Sequence, residues 1–355
     1  MNRGLSLYLD ALRFLAALTV LLVHASGQRF TAGLFWQLRP YGQEAVLVFF
    51  VLSGFVIGYV TDTRERSAAV YAISRLSRIY SVALPALVLT VVLDAIGQVT
   101  GPALYPPGIL GGISATLASV LFLNQIWRFD FWPGSDIAWW SLGYECWYYV
   151  IFGVLLYARP PWNRVGAALL LVFVGPRVAS LFPLWLLGVG GYRLCCRGLL
   201  SRGAGIGLAA GATAAWIGFE WLGFRLGYRP DFSEITFHRG ELVQDYGLGL
   251  LVTAQLIGVH AACAGRSPAS WLERPVHFLA QRTFSLYLYH VPVSQVLITL
   301  LPFPPGSAAG RVAILAGTIG VVFLLAEVTE MRKGPWRRAF AWCVMARREP
   351  VKTLL

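Results

Sequence analysis

Two ionisable residues, Arg13 and His24, lie eleven positions apart in an apolar stretch that is long enough to span a membrane. At about 100° per residue, this spacing amounts to almost three helical turns, so both side chains are predicted on one helix face. Asp10 lies three residues before Arg13, close to the same face. Ionisable groups inside a membrane helix are costly and usually face a polar interior, so this stripe is a candidate functional site. The alternative is a histidine that serves only in packing.

A second polar strip occupies residues 139–149, where Ser141, Glu145 and Tyr149 recur every four residues and therefore share a helix face. A carboxylate at membrane depth requires a partner, and the imidazole of His24 is a chemically suitable one. The alternative is a structural ion pair between Glu145 and an arginine.

Two closely spaced pairs add further candidates. Arg75 and Arg78 lie three residues apart, just before the third predicted helix, and guanidinium pairs of this kind hold phosphates through bidentate hydrogen bonds. An ordinary basic flank of a membrane helix is the alternative. Tyr287 precedes His290 by three residues in the middle of the ninth predicted helix. This pair either lines a substrate passage or satisfies a buried imidazole.

Three other features have structural interpretations. Asp94 and Arg177 also lie near membrane depth and have no assigned role, and pairing with each other is one open alternative. Ser53-Gly54 is a pair of small residues at which two helices can approach closely. The five cysteines show no metal-ligand spacing with a histidine, so we expect no metal site and no disulfide framework.

The composition identifies an all-α integral membrane protein. Hydrophobic residues make up 57% of the chain and charged residues 13%, about half the charged share of a soluble domain. Apolar segments of spanning length predict a bundle of about ten helices, and residues 113–127 are predicted to form a re-entrant or interfacial segment that is too short to span. The ten predicted spans lie near 7–27, 42–61, 79–98, 139–158, 164–178, 180–196, 203–222, 244–264, 276–300 and 311–331. The fifth and sixth of these spans are short and are predicted to join at Gly175-Pro176.

The basic residues orient this bundle. With the N-terminus inside, most of the 29 Lys and Arg residues fall on the cytoplasmic side, as the positive-inside rule requires. The net charge of +12 then follows from topology, and nucleic-acid binding is a poor explanation of it. We expect residues 1–335 to form the membrane domain and residues 336–355 a basic cytoplasmic tail.

The motifs in their order resemble the acyltransferase-3 family of integral-membrane O-acyltransferases. Four stretches carry the resemblance: residues 9–14 continuing to His24, 49–55, 140–145 and 285–290. The Arg13–His24 spacing and the Arg75–Arg78 pair are also similar to those of the family, and the resemblance extends from residue 5 to about residue 330. Family members typically transfer acetyl or other short acyl groups from acyl-CoA to glycans of the cell envelope or cell surface.

The resemblance implies roles for the candidate residues. Acyl-CoA would be the donor substrate, with no permanently bound cofactor, and Arg75, Arg78 and Arg13 would hold its phosphates. His24 would act as general base on an acceptor hydroxyl or be acylated itself, with Glu145 orienting its imidazole. The acceptor, a glycan or glycolipid, or the thioester oxygen would be held by Ser141, Tyr149, Tyr287 and His290.

One position departs from the family pattern. Many members carry an Asp two residues before the Phe-Phe pair of the second helix, where this chain has Leu47. Glu44, three residues earlier on the same helix face, is a candidate substitute.

The competing function is a transporter or flippase, because charged stripes inside a helix bundle also mark solute pathways. Against it, the sequence shows neither an inverted repeat nor paired broken helices. We therefore expect a multi-pass enzyme of a bacterial cell membrane, with both termini in the cytoplasm.

Overall fold

The computed structural model describes residues 1–105, 112–225, 242–266 and 268–345. These residues form thirteen α-helices, two short 3₁₀ turns and no strand, which confirms the predicted all-α class. The helices are α1 Arg3–Ala25, α2 Gln28–Thr31, α3 Tyr41–Thr63, α4 Ala68–Thr100, α5 Gly112–Val120, α6 Trp139–Tyr157, α7 Trp162–Cys196, α8 Arg202–Arg225, α9 Leu242–Ala262, α10 Ser270–Ala280, α11 Thr283–Leu300, α12 Ala308–Val328 and α13 Lys333–Met345.

Several of these helices are long and apolar enough to cross a membrane. Within the described residues, six meet both conditions: α1, α3, α4, α7, α9 and α12. The helices α6, α8 and α11 coincide with three further predicted spans, and α7 covers two of them. The count of ten spans remains a prediction.

Helix α4 begins earlier than the sequence pattern indicated. It contains 33 residues and starts after Ser67, whose side chain accepts a hydrogen bond from the backbone N–H of Val70 at 3.3 Å. This N-cap satisfies one of the amide groups that a helix start leaves unbonded, so the helix forms before the apolar run begins. The placement of Arg75 and Arg78 in a flank before the helix is therefore wrong, since both lie inside α4.

Helix α7 is broken at Gly175, where the backbone has φ 79° and ψ 174°. This left-handed conformation is strained for any residue with a side chain, and a Cβ here would lie 2.9 Å from the ring of Trp127. The break separates the two short helices that were predicted to meet at Gly175-Pro176. That boundary is confirmed.

Two other segments compare differently with their predictions. The apolar stretch at 113–127 contains only the nine-residue helix α5, which is too short to span, as predicted. The predicted ninth span at 276–300 is wrong as a single helix, because α10 ends at Ala280 and α11 begins at Thr283. At this new start the Glu330 carboxylate accepts a hydrogen bond from the Ser285 backbone N–H at 2.9 Å, which stabilises a helix N-terminus.

The chain divides into two compact units. The first unit comprises Met1–Val23, Gln37–Thr63 and Ala179–Ala280. Within it, α3 and α7 cross so closely that a Cβ on Gly54 would lie 2.0 Å from the Trp185 carbonyl oxygen. The close approach predicted at Ser53-Gly54 is thus confirmed, and Ser53 Oγ also accepts a hydrogen bond from Trp185 Nε1 at 3.2 Å.

The second unit comprises His24–Trp36, Arg64–Val178 and Gln281–Leu355. In it, α11 packs against α4 and α12, and α13 packs against α4 through a contact between the rings of Phe340 and Tyr80. Because α13 begins at Lys333, the predicted boundary between membrane domain and tail falls inside this helix. The remainder of the tail, residues 346–355, lies outside the described residues.

Candidate active site

The centre of the candidate site is a pair of histidines in the second unit. His24 lies in the last turn of α1, and His290 lies near the middle of α11, only 1% exposed. His24 Nδ1 is 2.8 Å from His290 Nε2, and the two rings are stacked with centroids 5.0 Å apart. The sequence predicted both residues as site candidates but did not predict that they contact each other.

The hydrogen bonds of His290 determine which nitrogen of each ring carries a hydrogen. His290 Nδ1 is 2.8 Å from the Tyr287 carbonyl oxygen and 3.0 Å from that of Leu286. A carbonyl oxygen can only accept, so His290 Nδ1 carries the hydrogen, and Nε2 of the neutral ring is an acceptor. His24 Nδ1–H therefore donates to His290 Nε2. This tautomer leaves a lone pair on His24 Nε2, which has no hydrogen-bond partner within the described residues.

Glu145 does not occupy the position that the sequence analysis gave it. Within the described residues, the ring nitrogens of His24 contact His290 and not Glu145, so the expectation that Glu145 orients the imidazole is wrong. Glu145 instead accepts a hydrogen bond from the Tyr149 hydroxyl, one helical turn along α6. Partners four residues apart on one helix are always within reach, which makes this local contact easy to form.

Ser141 and Tyr287 connect the polar strip of α6 to the histidine pair. The Ser141 and Tyr287 hydroxyl oxygens are 2.6 Å apart and both residues are buried. The Tyr287 ring packs edge-on against His290, with centroids 6.4 Å apart. The structure thus brings four predicted site residues into one continuous polar contact series: Ser141, Tyr287, His290 and His24.

Arg75 is a buried member of an ion pair. Its Nη2 lies 2.6 Å from Glu65 Oε1, and both residues are less than 10% exposed. The guanidinium also lies over the rings of Tyr71 and Tyr149. Its Nε and Nη1 atoms have no hydrogen-bond partner within the described residues. Arg75 therefore retains hydrogen-bond donors, but Glu65 already neutralises much of its charge.

Arg78 lies one turn further along α4 and is half-buried. It interacts electrostatically with Tyr149 and Glu145 on α6, and with Glu330 beyond the end of α12. Burial raises the pKa of Glu330, while the bond from Ser285 opposes that shift. Arg78 makes no side-chain hydrogen bond within the described residues, so its donors are more accessible to a ligand than those of Arg75.

Two residues of the predicted stripe belong to the first unit. Arg13 is half-buried on α1. Asp10 is paired with His277 of α10, with Oδ2 and Nδ1 2.7 Å apart.

The candidate substitute for the missing family carboxylate also lies in the first unit. Glu44 on α3 is near Glu220 on α8 and Asp245 on α9. These three residues belong to the first unit, whereas His24 and His290 belong to the second. Leu47, which occupies the position of the family Asp, is buried.

Asp94 and Arg177, which the sequence left unassigned, have other partners than each other. Asp94 accepts hydrogen bonds from the backbone N–H and the hydroxyl of Ser135, at 2.7 and 2.6 Å. Arg177 forms an ion pair with Asp130 at 3.3 Å and donates to the Phe129 carbonyl oxygen. Both residues are satisfied by the segment between α5 and α6, which the sequence pattern left without an assigned structure.

Three polar residues near the site were not predicted from the sequence: Arg29, which acts on His24, and Gln295 and Tyr105, which interact with Arg29. Arg29 Nη2 donates to Gln295 Oε1 at 3.3 Å, and Gln295 Nε2 donates to the Leu104 carbonyl oxygen at 3.3 Å. The positive charge of Arg29 acts on His24, and the hydroxyl of Tyr105 interacts with Arg29. Burial raises the pKa of Tyr105, so it remains a neutral hydroxyl. Gln295, a polar residue in an apolar helix five positions after His290, was the only available signal in the sequence.

Comparison with known proteins places this chain in a family. Residues 6–327 match the acyltransferase-3 family, which is described as an acyltransferase domain. No curated protein and no solved structure matches the chain. The matched range includes the histidine pair, the arginine pair of α4 and the polar strip of α6. The chain therefore belongs to the acyltransferase-3 family of membrane acyltransferases.

Proposed function

We propose that this protein transfers an acyl group, most simply acetyl, from acyl-CoA to a hydroxyl of a glycan or glycolipid at the cell envelope. The observation that carries this proposal is the open lone pair on His24 Nε2. His24 is held in the tautomer with a hydrogen on Nδ1 by its hydrogen bond to His290. The tautomer of His290 is in turn fixed by two backbone carbonyl oxygens. A neutral imidazole in this state is a general base.

The reaction needs one proton to move twice. The acceptor hydroxyl gives its proton to His24 Nε2 as its oxygen attacks the thioester carbonyl carbon. The tetrahedral intermediate then collapses with cleavage of the C–S bond, and the proton passes from His24 to the sulfur of the departing CoA. Atoms and charge balance without a further reactant.

Two charges develop during this reaction, an imidazolium on His24 and an oxyanion on the intermediate, and one neighbour of His24 stabilises each of them. The imidazolium formed in the first step still donates from Nδ1 to His290 Nε2, and this bond becomes stronger as the donor gains charge. Arg29, whose charge already acts on His24, stabilises the oxyanion of the intermediate. The same lone pair also serves an alternative route in which His24 is acylated first.

The donor would enter from the end of the bundle that carries the arginine pair. Arg78 holds a phosphate of acyl-CoA with its unbonded donors, and Arg75 assists with Nε and Nη1. Because most basic residues flank this side, the donor side is cytoplasmic and both termini lie there. The acceptor would meet His24 at the opposite end, as in a bacterial cell membrane.

The test compares wild type with His24→Ala and a matched control, His260→Ala, in nanodiscs. Acetyl-CoA and an extracted glycan fraction are supplied, and both free CoA and acetylated product are followed by mass spectrometry. We expect transfer by wild type and the control, and loss of transfer with retained acetyl-CoA binding in His24→Ala. Full transfer by a folded His24→Ala protein would contradict the proposal. Saturable solute flux without any need for acyl-CoA would favour a transporter instead.

The two catalytic routes are separated by rapid quenching of wild type mixed with acetyl-CoA alone. An acetyl group on His24, located by peptide mass, supports the covalent route. Its absence under conditions that sustain transfer supports the general-base route.

A further inference from the structure

A second polar cluster lies where the segment before α6 meets α4. Ser135 binds the Asp94 carboxylate through both its backbone N–H and its hydroxyl. The chain comes this close because residue 134 is glycine: a Cβ there would lie 2.1 Å from Asp94 Oδ2 and 3.0 Å from the Thr90 methyl group. The contact places the next residue, Asp136, beside Asp94 in the interior.

Asp136 is fully buried, yet neither of its carboxylate oxygens has a hydrogen-bond partner within the described residues. The backbone N–H of Ala138 lies near but does not reach hydrogen-bond geometry. Burial, reinforced by the charge of Asp94, raises the pKa of Asp136 well above its ordinary value. A carboxyl group in this state costs stability, so its retention requires an explanation.

Two hydroxyl groups close to Asp94 are also buried without a hydrogen-bond partner within the described residues. Thr90 lies one helical turn before Asp94 on α4, and the Tyr105 ring packs against Gly97, about one turn after it. Positions 90, 94 and 97 share one face of the helix. Both residues are at most 2% exposed, and neither hydroxyl has a partner within the described residues.

This cluster, formed by Thr90, Tyr105 and Asp136, is connected to the histidine pair through residues that interact with both. Asp136 interacts electrostatically with Tyr287 and Tyr289 on α11. Tyr287 in turn binds Ser141 and packs against His290. Tyr105 also interacts with Arg29, the cation beside His24.

The chemistry of the cluster specifies what it can bind. A protonated carboxyl group at Asp136 has one O–H that donates and one oxygen that accepts, and the hydroxyls of Thr90 and Tyr105 can donate or accept. Two neighbouring carboxyl groups repel an anion. A ligand with several neutral hydroxyl groups satisfies all of these conditions, because each hydroxyl both donates and accepts.

We propose that Asp136, Thr90 and Tyr105 form a subsite that binds hydroxyl groups of the acceptor other than the one that is acylated. This inference rests on the proposed function and assigns specificity-determining residues to it. The subsite positions a polyhydroxyl acceptor so that one further hydroxyl reaches His24 Nε2. It makes no contribution to an acceptor that carries a single hydroxyl.

The test compares two kinds of acceptor on the full chain in nanodiscs. Glucoside and maltoside detergents are avoided, because their sugar headgroups would compete. The polyhydroxyl probes are the methyl β-glycosides of glucose, galactose and mannose, and the single-hydroxyl probe is cyclohexylmethanol. The variants are Asp136→Asn and Thr90→Val, with Asp130→Asn as the matched control, since Asp130 is a carboxylate of the same segment that is paired with Arg177.

In Asp136→Asn we expect kcat/KM for the preferred glycoside to fall about 10-fold, which corresponds to loss of one neutral hydrogen bond. Thr90→Val should show a smaller loss in the same direction. Transfer to cyclohexylmethanol and the slow hydrolysis of acetyl-CoA should remain within about twofold of wild type, because neither needs the subsite. A merely structural role would lower all three activities together, and that result, or an unchanged glycoside preference, would overturn the proposal.

Binding without acetyl-CoA keeps the subsite testable if the protein catalyses no transfer. Saturation-transfer NMR with the three methyl glycosides should show binding to wild type and to Asp130→Asn, and much weaker binding to Asp136→Asn. Wild-type binding without any turnover of acetyl-CoA would refute the proposed function alone. No binding of any glycoside to wild type, or equal binding to Asp136→Asn, would refute the subsite alone.

Discussion

Replacing His290 by phenylalanine tests the central geometric claim about the site. Phenylalanine keeps the ring volume in a residue that is 1% exposed, so the core should be retained. It removes the acceptor nitrogen that lies 2.8 Å from His24 Nδ1. His24 then loses the group that orients it, holds its tautomer and stabilises its cation during the reaction.

The expected size of the effect follows from the bond that is lost. A hydrogen bond to a charged group contributes about 1.5–3 kcal/mol, and the His24–His290 bond is of this kind in the transition state. Its loss therefore corresponds to a fall in kcat of about 10- to 150-fold. His290→Gln should recover part of this loss, because the glutamine amide oxygen reaches the same position along the side chain as Nε2.

The assay follows CoA release by mass spectrometry in nanodiscs. A thiol reagent is unsuitable, because Cys196 and Cys343 are exposed free cysteines and would react with it. His260→Phe, in α9, is the matched control for introducing phenylalanine in place of a histidine. Acetyl-CoA binding is measured in parallel to show that the donor site is intact.

The decisive comparison is between the double variant of His24 and His290 and the two single variants. If His290 acts only through His24, then adding His290→Phe to His24→Ala should change the residual rate by no more than about twofold. A further 10-fold loss in the double variant would show that His290 acts independently of His24. Equal rates for His290→Phe and wild type would refute the assignment of the base by its hydrogen-bonded tautomer.

Three further changes test the surroundings of the site. Arg75→Met should lower the free energy of unfolding by about 3–5 kcal/mol in mixed micelles, because it leaves the buried Glu65 unpaired. Adding Glu65→Leu should restore most of that free energy. No loss of stability in Arg75→Met alone would contradict a buried ion pair. Burial raises the pKa of Asp136, so the folded state binds its proton more tightly than the unfolded state does. The stability that this proton binding contributes is fully present below the ordinary carboxyl pKa of 3.8 and is lost as pH rises. Wild type should thus lose more thermal stability than Asp136→Asn between about pH 5 and about pH 8, and parallel curves would count against the buried carboxyl. Gly175→Ala should cost at least about 1–2 kcal/mol in the same unfolding assay because of its left-handed backbone, and a neutral result would mean that the break in α7 does not need glycine.

Some features of the fold follow directly from local chemistry. Apolar segments must form helices in a membrane because their backbone groups have no other partners there, and the all-α class was predictable for that reason. Gly175-Pro176 predicted a break because both residues disfavour a continuous helix, and the break is present. The errors arise where polar side chains determine a boundary, as Ser67 does for α4 and Glu330 does for α11.

The candidate site was predictable in its members more than in its contacts. His24 and His290 stood out because imidazoles are unusual in apolar helices, and both lie at the centre of the site. Glu145 was assigned to His24 on similar depth alone, and its contact is instead with Tyr149. Arg29 gave no signal, since an arginine in a short polar connection is unremarkable in a membrane protein.

The sequence by itself determined which residues are costly in a membrane, which of them share a helix face and to which family the motifs correspond. These properties depend on residue type and on the fixed period of one helix. Only the tertiary structure decided that His24 meets His290, 266 positions away, and that Asp136 is buried beside Asp94. Helical periodicity specifies the direction in which a side chain points. The identity of its partner, and therefore the tautomer of His24, depends on how the helices pack.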